Sequence, residues 1–184
     1  LDIRTVINEI SDASSVLELS KDFAPNVATA LVKLGGESAA VVAASGELDI
    51  AGCKKASRFV RFADSFNIPV VTITNVTGFK ADKNEEDANS LASAAELISA
   101  YAEATTAKID IIAGSACGGA YLALGSKYIG SDMTIAWPGS EISVLNSSAC
   151  ANIMFKDDIA ESDDPQKERD EKIKEYKESA NAYS

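Results

Sequence analysis

The sequence predicts an α/β fold with substantially parallel strand pairing, and three observations carry that expectation. Apolar, strand-like runs alternate with segments of helical periodicity along the whole chain. One run, Ala39-Ala-Val-Val-Ala-Ala44, is almost wholly apolar, as expected of a strand buried on both faces. The whole order, strands in pairs, then helix, strand, helix, strand, helix and a closing strand pair, is too regular for an all-β or all-α class.

Taken in order, Leu1, Ile3, Val6, Ile7 and Ile10 follow helical spacing and predict a short opening helix. Val16 to Ser20 alternates like a strand. Asn26 to Leu34 and Glu37 to Ala44 read as a β-hairpin across Gly35-Gly36. Asp49 can cap a helix running to about Phe66, with Ile50, Cys53, Ala56, Phe59, Val60 and Ala63 on the inner face. Lys54, Arg58 and Arg61 share the other face, which suits solvent, CoA phosphates or an acidic partner. Asn67 and Pro69 stop this helix, and Val70 to Val76 is a second buried strand. The acidic stretch Lys80 to Asp87 reads as a loop. Leu91, Ala95, Ile98 and Ala102 mark the inner face of an Ala/Ser-rich helix over Ala88 to Ala104.

The stretch from Lys108 to Trp137 follows. Ile109-Asp-Ile-Ile112 is strand-like, Gly114-Ser-Ala-Cys-Gly-Gly119 is a turn of small residues, and Ala120 to Ser126 is helix-compatible. A strand turning through glycines into a helix leaves free backbone N–H groups that suit a developing negative charge. A plain strand-to-helix turn would carry the same glycines for backbone freedom, and the local pattern leaves both readings open. Met133 to Pro138 and Glu141 to Leu145 are further short strands, and Asn152 to Ile159 is helical. Asp164 and Pro165 cap and start a terminal helix with a thin apolar stripe of Ile173, Tyr176 and Ala180. Such a helix should lie across the body or against a partner.

Composition narrows the chemistry. The 184 residues fit one domain with a real core, and no apolar run approaches the roughly 18 residues of a membrane helix. The charge of −11, from 28 acidic and 17 basic residues, argues against nucleic acid or an anionic membrane as partner. The complete lack of histidine excludes Ser-His-Asp and Cys-His machinery and histidine zinc sites within the chain. Cys53, Cys117 and Cys150 are odd in number and widely spaced, which fits a reducing cytoplasm. Opening on Leu1 rather than Met, the chain reads as a piece of a longer or processed polypeptide.

Several stretches then line up in order with one family. Lys54 to Pro69, Thr77-Gly-Phe79, Tyr101-Ala-Glu-Ala-Thr105, Gly118-Gly-Ala-Tyr121, Gly125-Ser-Lys127, Ala136-Trp-Pro138, Asp163-Asp-Pro165 and Glu175-Tyr176 together resemble the carboxyltransferase subunits of biotin-dependent acyl-CoA carboxylases and decarboxylases, the propionyl-CoA carboxylase beta type. The resemblance covers almost the entire chain and only the C-terminal half of such subunits. It implies a crotonase-like fold of ββα turns over residues 1–184, a helical tail at about 165–184, and a cytoplasmic homo-oligomer. It implies carboxybiotin on a carrier protein as cofactor, an acyl-CoA of the acetyl, propionyl or methylmalonyl class as substrate, and the N-terminal half of a neighbouring protomer as partner.

Carried over by position, the Gly119 and Ala120 amides are the implied oxyanion pair. Gly118 aims them, and Gly78, Phe79 and Tyr121 shape the biotin pocket. Leu122 and Cys117 fall at the implied substrate pocket. Asn75, Thr77, Cys117, Leu122 and Tyr128 depart from the residues common in the family, which leaves acyl-chain choice open. Two rivals remain: a peptidase of the same fold with Cys117 as nucleophile and Lys127 or Lys108 as base, and a non-catalytic assembly domain.

Overall fold

The computed structural model describes residues 1–87, 89–162 and 164–181. Ala88, Asp163 and residues 182–184, which the sequence assigned to the Ala/Ser-rich helix, the acidic tail and the last turn of the terminal helix, lie outside them. The chain opens with α1 (Ile3–Ile10), where Asp2 Oδ1 accepts from the Arg4 amide at 3.0 Å and so supplies the N-cap. β1 (Leu17–Leu19), β2 (Val27–Leu34) and β3 (Glu37–Leu48) form an antiparallel meander, with Leu34 opposite Glu37 across the Gly35-Gly36 turn.

From β3 onward the connections pass through helices and the pairing becomes parallel. α2 (Ile50–Ser65) starts at Asp49, whose Oδ1 accepts from the Gly52 amide at 2.7 Å. It leads into β4 (Val70–Phe79), then α3 (Lys83–Asp87) and α4 (Ser90–Glu103), then β5 (Lys108–Cys117) and α5 (Gly118–Ala123). A 3-10 turn, Lys127–Ile129, precedes β6 (Met133–Ala136) and β7 (Glu141–Ser143). The seven strands form one sheet in the order β1-β2-β3-β4-β5-β6, with β7 pairing the far end of β5 beyond β6. α6 (Ser147–Met154), α7 (Lys156–Glu161) and α8 (Pro165–Ser179) complete the chain.

Both faces of the sheet carry core residues: β3 is apolar at both parities through its middle, and β4 and β5 add apolar residues on each side among buried Thr72, Thr74, Lys108 and Asp110. On one side Val42, Ala44, Val70, Val76 and Ile112 pack under α2, α4 and α5. On the other, Val41, Ala43, Val71 and Ile73 pack with Ile3, Val6 and Ile7 of α1.

Four expectations are corrected. The inner face of α4 is Ser93, Ala94, Leu97, Ala100 and Tyr101, while Leu91 (80%) and Ile98 (37%) are exposed. An Ala-rich helix offers two apolar stripes, and the one that packs is fixed by Tyr101, whose hydroxyl pairs with Thr72 Oγ1 at 2.9 Å. The acidic loop contains α3, nucleated where Asp82 Oδ1 accepts from the Glu85 amide at 2.9 Å. The helical segment at Asn152–Ile159 is two helices that break at Phe155, and the first begins at Ser147 behind an Asn146 cap. The helix of the glycine turn starts at Gly118, before Ala120, and ends at Ala123. α8 packs on α6 and α7: Arg169 donates to Asn152 Oδ1 at 2.9 Å and to Ser148 Oγ at 2.8 Å, and no α8 residue is buried.

Candidate functional site

β4 and β5 run in parallel register from Val70 opposite Lys108 to Thr74 opposite Ile112, and then the register slips, so that Val76 pairs with Ala116. Asn75 spans the break with its side chain. Its Nδ2 donates to Ser45 Oγ on β3 at 3.0 Å, and its Oδ1 accepts from the Ser115 amide at 3.0 Å. The amide side chain therefore supplies the hydrogen bonding that the backbone ladder drops. Gly114 makes this possible, because a Cβ there would collide with Asn75 Oδ1. One of the family departures is thereby explained within the chain itself.

Beyond the slip, β5 changes neighbour. Ser115, Ala116 and Cys117 pair with Glu141, Ile142 and Ser143 of β7. The chain then turns at Gly118 in the left-handed region (φ 61°), where a Cβ would stand 3.1 Å from the Val144 carbonyl oxygen. Gly118, Gly119 and Ala120 are the first three residues of α5, whose amides have no acceptor within the helix. Cys117 at the N-cap position contributes no side-chain hydrogen bond to them.

The turn faces a cleft of about 410 Å³ lined by Gly118, Gly119, Tyr121, Leu122, Tyr128, Ile142, Ser143 and Val144. Four residues expected from the sequence meet there: Gly118, Gly119, Tyr121 and Leu122. Phe79 reaches Gly119 without lining the cleft, its Cε2 lying 3.2 Å from where a Gly119 Cβ would be. Gly78 and Phe79 are the last residues of β4, paired with Glu47 and Leu48. Ala120 and Cys117 are buried behind the wall. Burial pushes the Tyr121 phenol up to about 12, so it is protonated and can donate.

Sequence reasoning missed Ile142, Ser143 and Val144 as cleft residues. The strand they belong to was expected, but nothing in one sequence says that it pairs with the last three residues of β5. Tyr128 stood out only as a departure, and its place in the cleft lining is a tertiary fact.

The Cys117 thiol is almost fully buried, 3.5 Å from Ser143 Oγ, and burial raises its pKa above the ordinary thiol value. That is the opposite of an activated nucleophile, and it supports a packing role. Lys108 is also buried, with its ammonium donating to the Ala104 and Thr106 carbonyls.

The family profile of the carboxyl transferase domain matches residues 1–184. The chain is 39% identical over 189 residues to the propionyl-CoA carboxylase carboxyltransferase subunit of Haloferax mediterranei, covering 100% of this chain and 37% of that protein. It is 36% identical over 184 residues to the methylmalonyl-CoA decarboxylase subunit alpha of Propionigenium modestum, covering 97% and 36%. A solved transcarboxylase 12S structure, described as a hexamer assembly with methylmalonyl-coenzyme A and methylmalonic acid bound, superposes with a TM-score of 0.86 at 39% identity. That match covers 98% of this chain and 36% of the other. The chain thus spans little more than a third of the relatives it matches. A glycine turn at the end of a parallel strand, set in a mixed sheet with the crotonase-like fold of these proteins, agrees with the ordered motifs: the chain belongs to the carboxyl transferase domain family.

Proposed function

We propose that this chain is the C-terminal half of a carboxyltransferase that moves a carboxyl group between biotin and an acyl-CoA, and that the Gly118–Leu122 cleft receives the biotin ring. The observation that carries this reading is the uncapped start of α5 opening on an apolar cleft. Those residues suit a ureido group: backbone donors for its carbonyl oxygen, and Leu122, Ile142 and Val144 for its apolar ring. Biotin on a carrier protein would supply the nitrogen that holds the carboxyl group. The Gly119 and Ala120 amides stabilise the negative charge that develops on the ureido oxygen. Tyr121, Leu122 and Tyr128 orient the ring and exclude water.

The acyl-CoA is of the acetyl, propionyl or methylmalonyl class and reaches the cleft from the N-terminal half of a neighbouring protomer in a homo-oligomer. Exposed apolar residues at the cleft mouth, Val144 (83%), Leu145 and Tyr128, support such a covering surface, as do Met133 and Ile135 at the sheet edge. The direction of transfer belongs to the companion subunits, since relatives include both a carboxylase and a decarboxylase. Among the described residues no helix is long and apolar enough to cross a membrane, and three free, buried cysteines suit a reducing cytoplasm.

Gly119→Pro removes one amide donor at a first-turn position where a helix tolerates proline. In the full-length protein, assayed with a biotinylated carrier and acyl-CoA, it should lower carboxyl transfer by roughly 10²-fold or more. Gly119→Ala, which keeps the amide, should stay within a few-fold. Equal activity of Gly119→Pro and wild type in folded protein would overturn the oxyanion assignment.

A further inference from the structure

A second cavity lies away from the glycine turn and shares no residue with its cleft. It sits where β1 and the loop before β2 meet α2, and it holds about 210 Å³. Its apolar lining is Leu19 of β1, Phe23 of the loop, and Phe59 and Phe62 of α2. Phe59 is buried and stacks on Phe62, with ring centroids 6.0 Å apart. Phe23 and Phe62 are 52% and 39% exposed, so the aromatic walls stand open to solvent.

Two cations line the same cavity, Lys55 and Arg58. Lys55 is only 5% exposed, and its ammonium donates to the Phe23 and Val27 carbonyls at 2.7 and 2.6 Å. Those dipoles solvate the ammonium without cancelling its charge. Among the described residues no carboxylate forms an ion pair with it. Glu18, the acid that acts on it, is taken by Arg4 at 2.9 Å. Arg58 is exposed and has no ion pair among the described residues, whereas Arg61 on the next turn pairs with Glu96 at 3.6 Å. Asp22 precedes Phe23 in the loop but is not part of the cavity wall. In a chain of net charge −11, this recess is positive, apolar and without a counter-ion of its own.

The loop that carries Phe23 is also held in an unfavourable shape. It enters at Ser20 (φ 53°) and leaves at Ala24 (φ 46°), two non-glycine residues in the left-handed region. Such conformations persist where the surroundings over-determine them, and ligand clamps are one such place. Here Lys55 does the holding, through the Phe23 and Ala24 carbonyls.

We propose that this cavity binds a small monocarboxylate with an aromatic or branched apolar body. The body enters between Phe23 and Phe62, over Leu19 and Phe59, and the carboxylate takes the Arg58 guanidinium as a bidentate partner. The buried charge of Lys55 attracts an anion there and does nothing for a neutral isostere. The volume, about that of seven waters in the liquid, suits one ring with its acid and is too small for a nucleotide. No residue of the glycine turn takes part, so the site stands independently of the carboxyl-transfer reading.

The test is fluorine NMR of fluorophenylacetate titrated into the full-length protein. Wild type should broaden the ligand signal with a Kd of about 0.1–10 mM, as a ligand of this size gives. The neutral isostere fluorophenylacetamide should bind about tenfold more weakly. Acetate, which lacks the ring, should not displace the probe. Arg58→Gln should weaken the acid about tenfold and leave the amide unchanged, while Phe62→Ala should weaken both. Both side chains are exposed on α2, and an unchanged denaturation midpoint shows that each variant is folded. No broadening in wild type, equal binding of acid and amide, or an unchanged affinity in folded Arg58→Gln would each overturn the site.

Discussion

Position 114 has room for a hydrogen and little else, because Asn75 Oδ1 occupies the space a side chain would take. Gly114→Ala should therefore push Asn75 away from the Ser115 amide and destabilise the protein by about 1–3 kcal/mol, read from chemical denaturation. Adding Asn75→Ala to that variant should cost much less than Asn75→Ala alone, because the single change has already broken the bridge. A fully additive double variant would mean that the two residues act separately. This pairing was not legible in the sequence: Gly114 stood in a run of small residues, and Asn75 registered only as unusual for the family. What the residues did show was the turn itself, since a Gly-Gly pair between a strand and a helix has few other uses.

Among the elements, two polar side chains fix how helices meet loops. Lys55 on α2 is buried, and its ammonium donates to the carbonyls of Phe23 at 2.7 Å and Val27 at 2.6 Å. Burial lowers its pKa, and it also reaches the Ala24 carbonyl, which accepts from the Val27 amide at 3.0 Å as well. Lys55→Met should cost about 3 kcal/mol and expose that loop to proteolysis near Phe23. Asp64 on the last turn of α2 accepts from the Thr105 and Thr106 amides at 2.7 and 3.0 Å, which holds its carboxyl below the usual range. Its contribution is present above the unfolded value of 3.8 and is lost as pH falls through the folded one. Asp64→Ala should therefore cost about 1–2 kcal/mol at pH 7 and progressively less below pH 4, where wild type and variant converge. Helix and strand positions were legible because periodicity is local. The inner face of α4 was not, because a Tyr101–Thr72 contact between distant segments chose between two equally apolar stripes.

For the whole molecule, the sheet explains both what is closed and what is open. α1 covers the β2–β4 part of one face, while Ile109, Ile111, Met133 and Ile135 continue the same apolar surface across β5 and β6 with partial or full exposure. Substituting Met133 and Ile135 together with Lys should leave folding intact and shift the full-length protein toward smaller assemblies in analytical ultracentrifugation. The α/β class was legible from alternation alone, and the family from motifs in order. The exposed apolar surface of β6 was not, because an exposed apolar strand and a buried one read the same in sequence.

On the side away from β4, β5 has β6 as its neighbour along its first half and β7 along its last three residues. The cleft consequently has two walls with different histories of constraint. Gly118 to Leu122 is tied to the core through Ala120 and Tyr121. Ile142 to Val144 comes from a short surface strand that touches the sheet only at its end. A lineage can remodel that second wall, in length or in bulk, and so change what the cleft admits while the glycine turn opposite stays as it was.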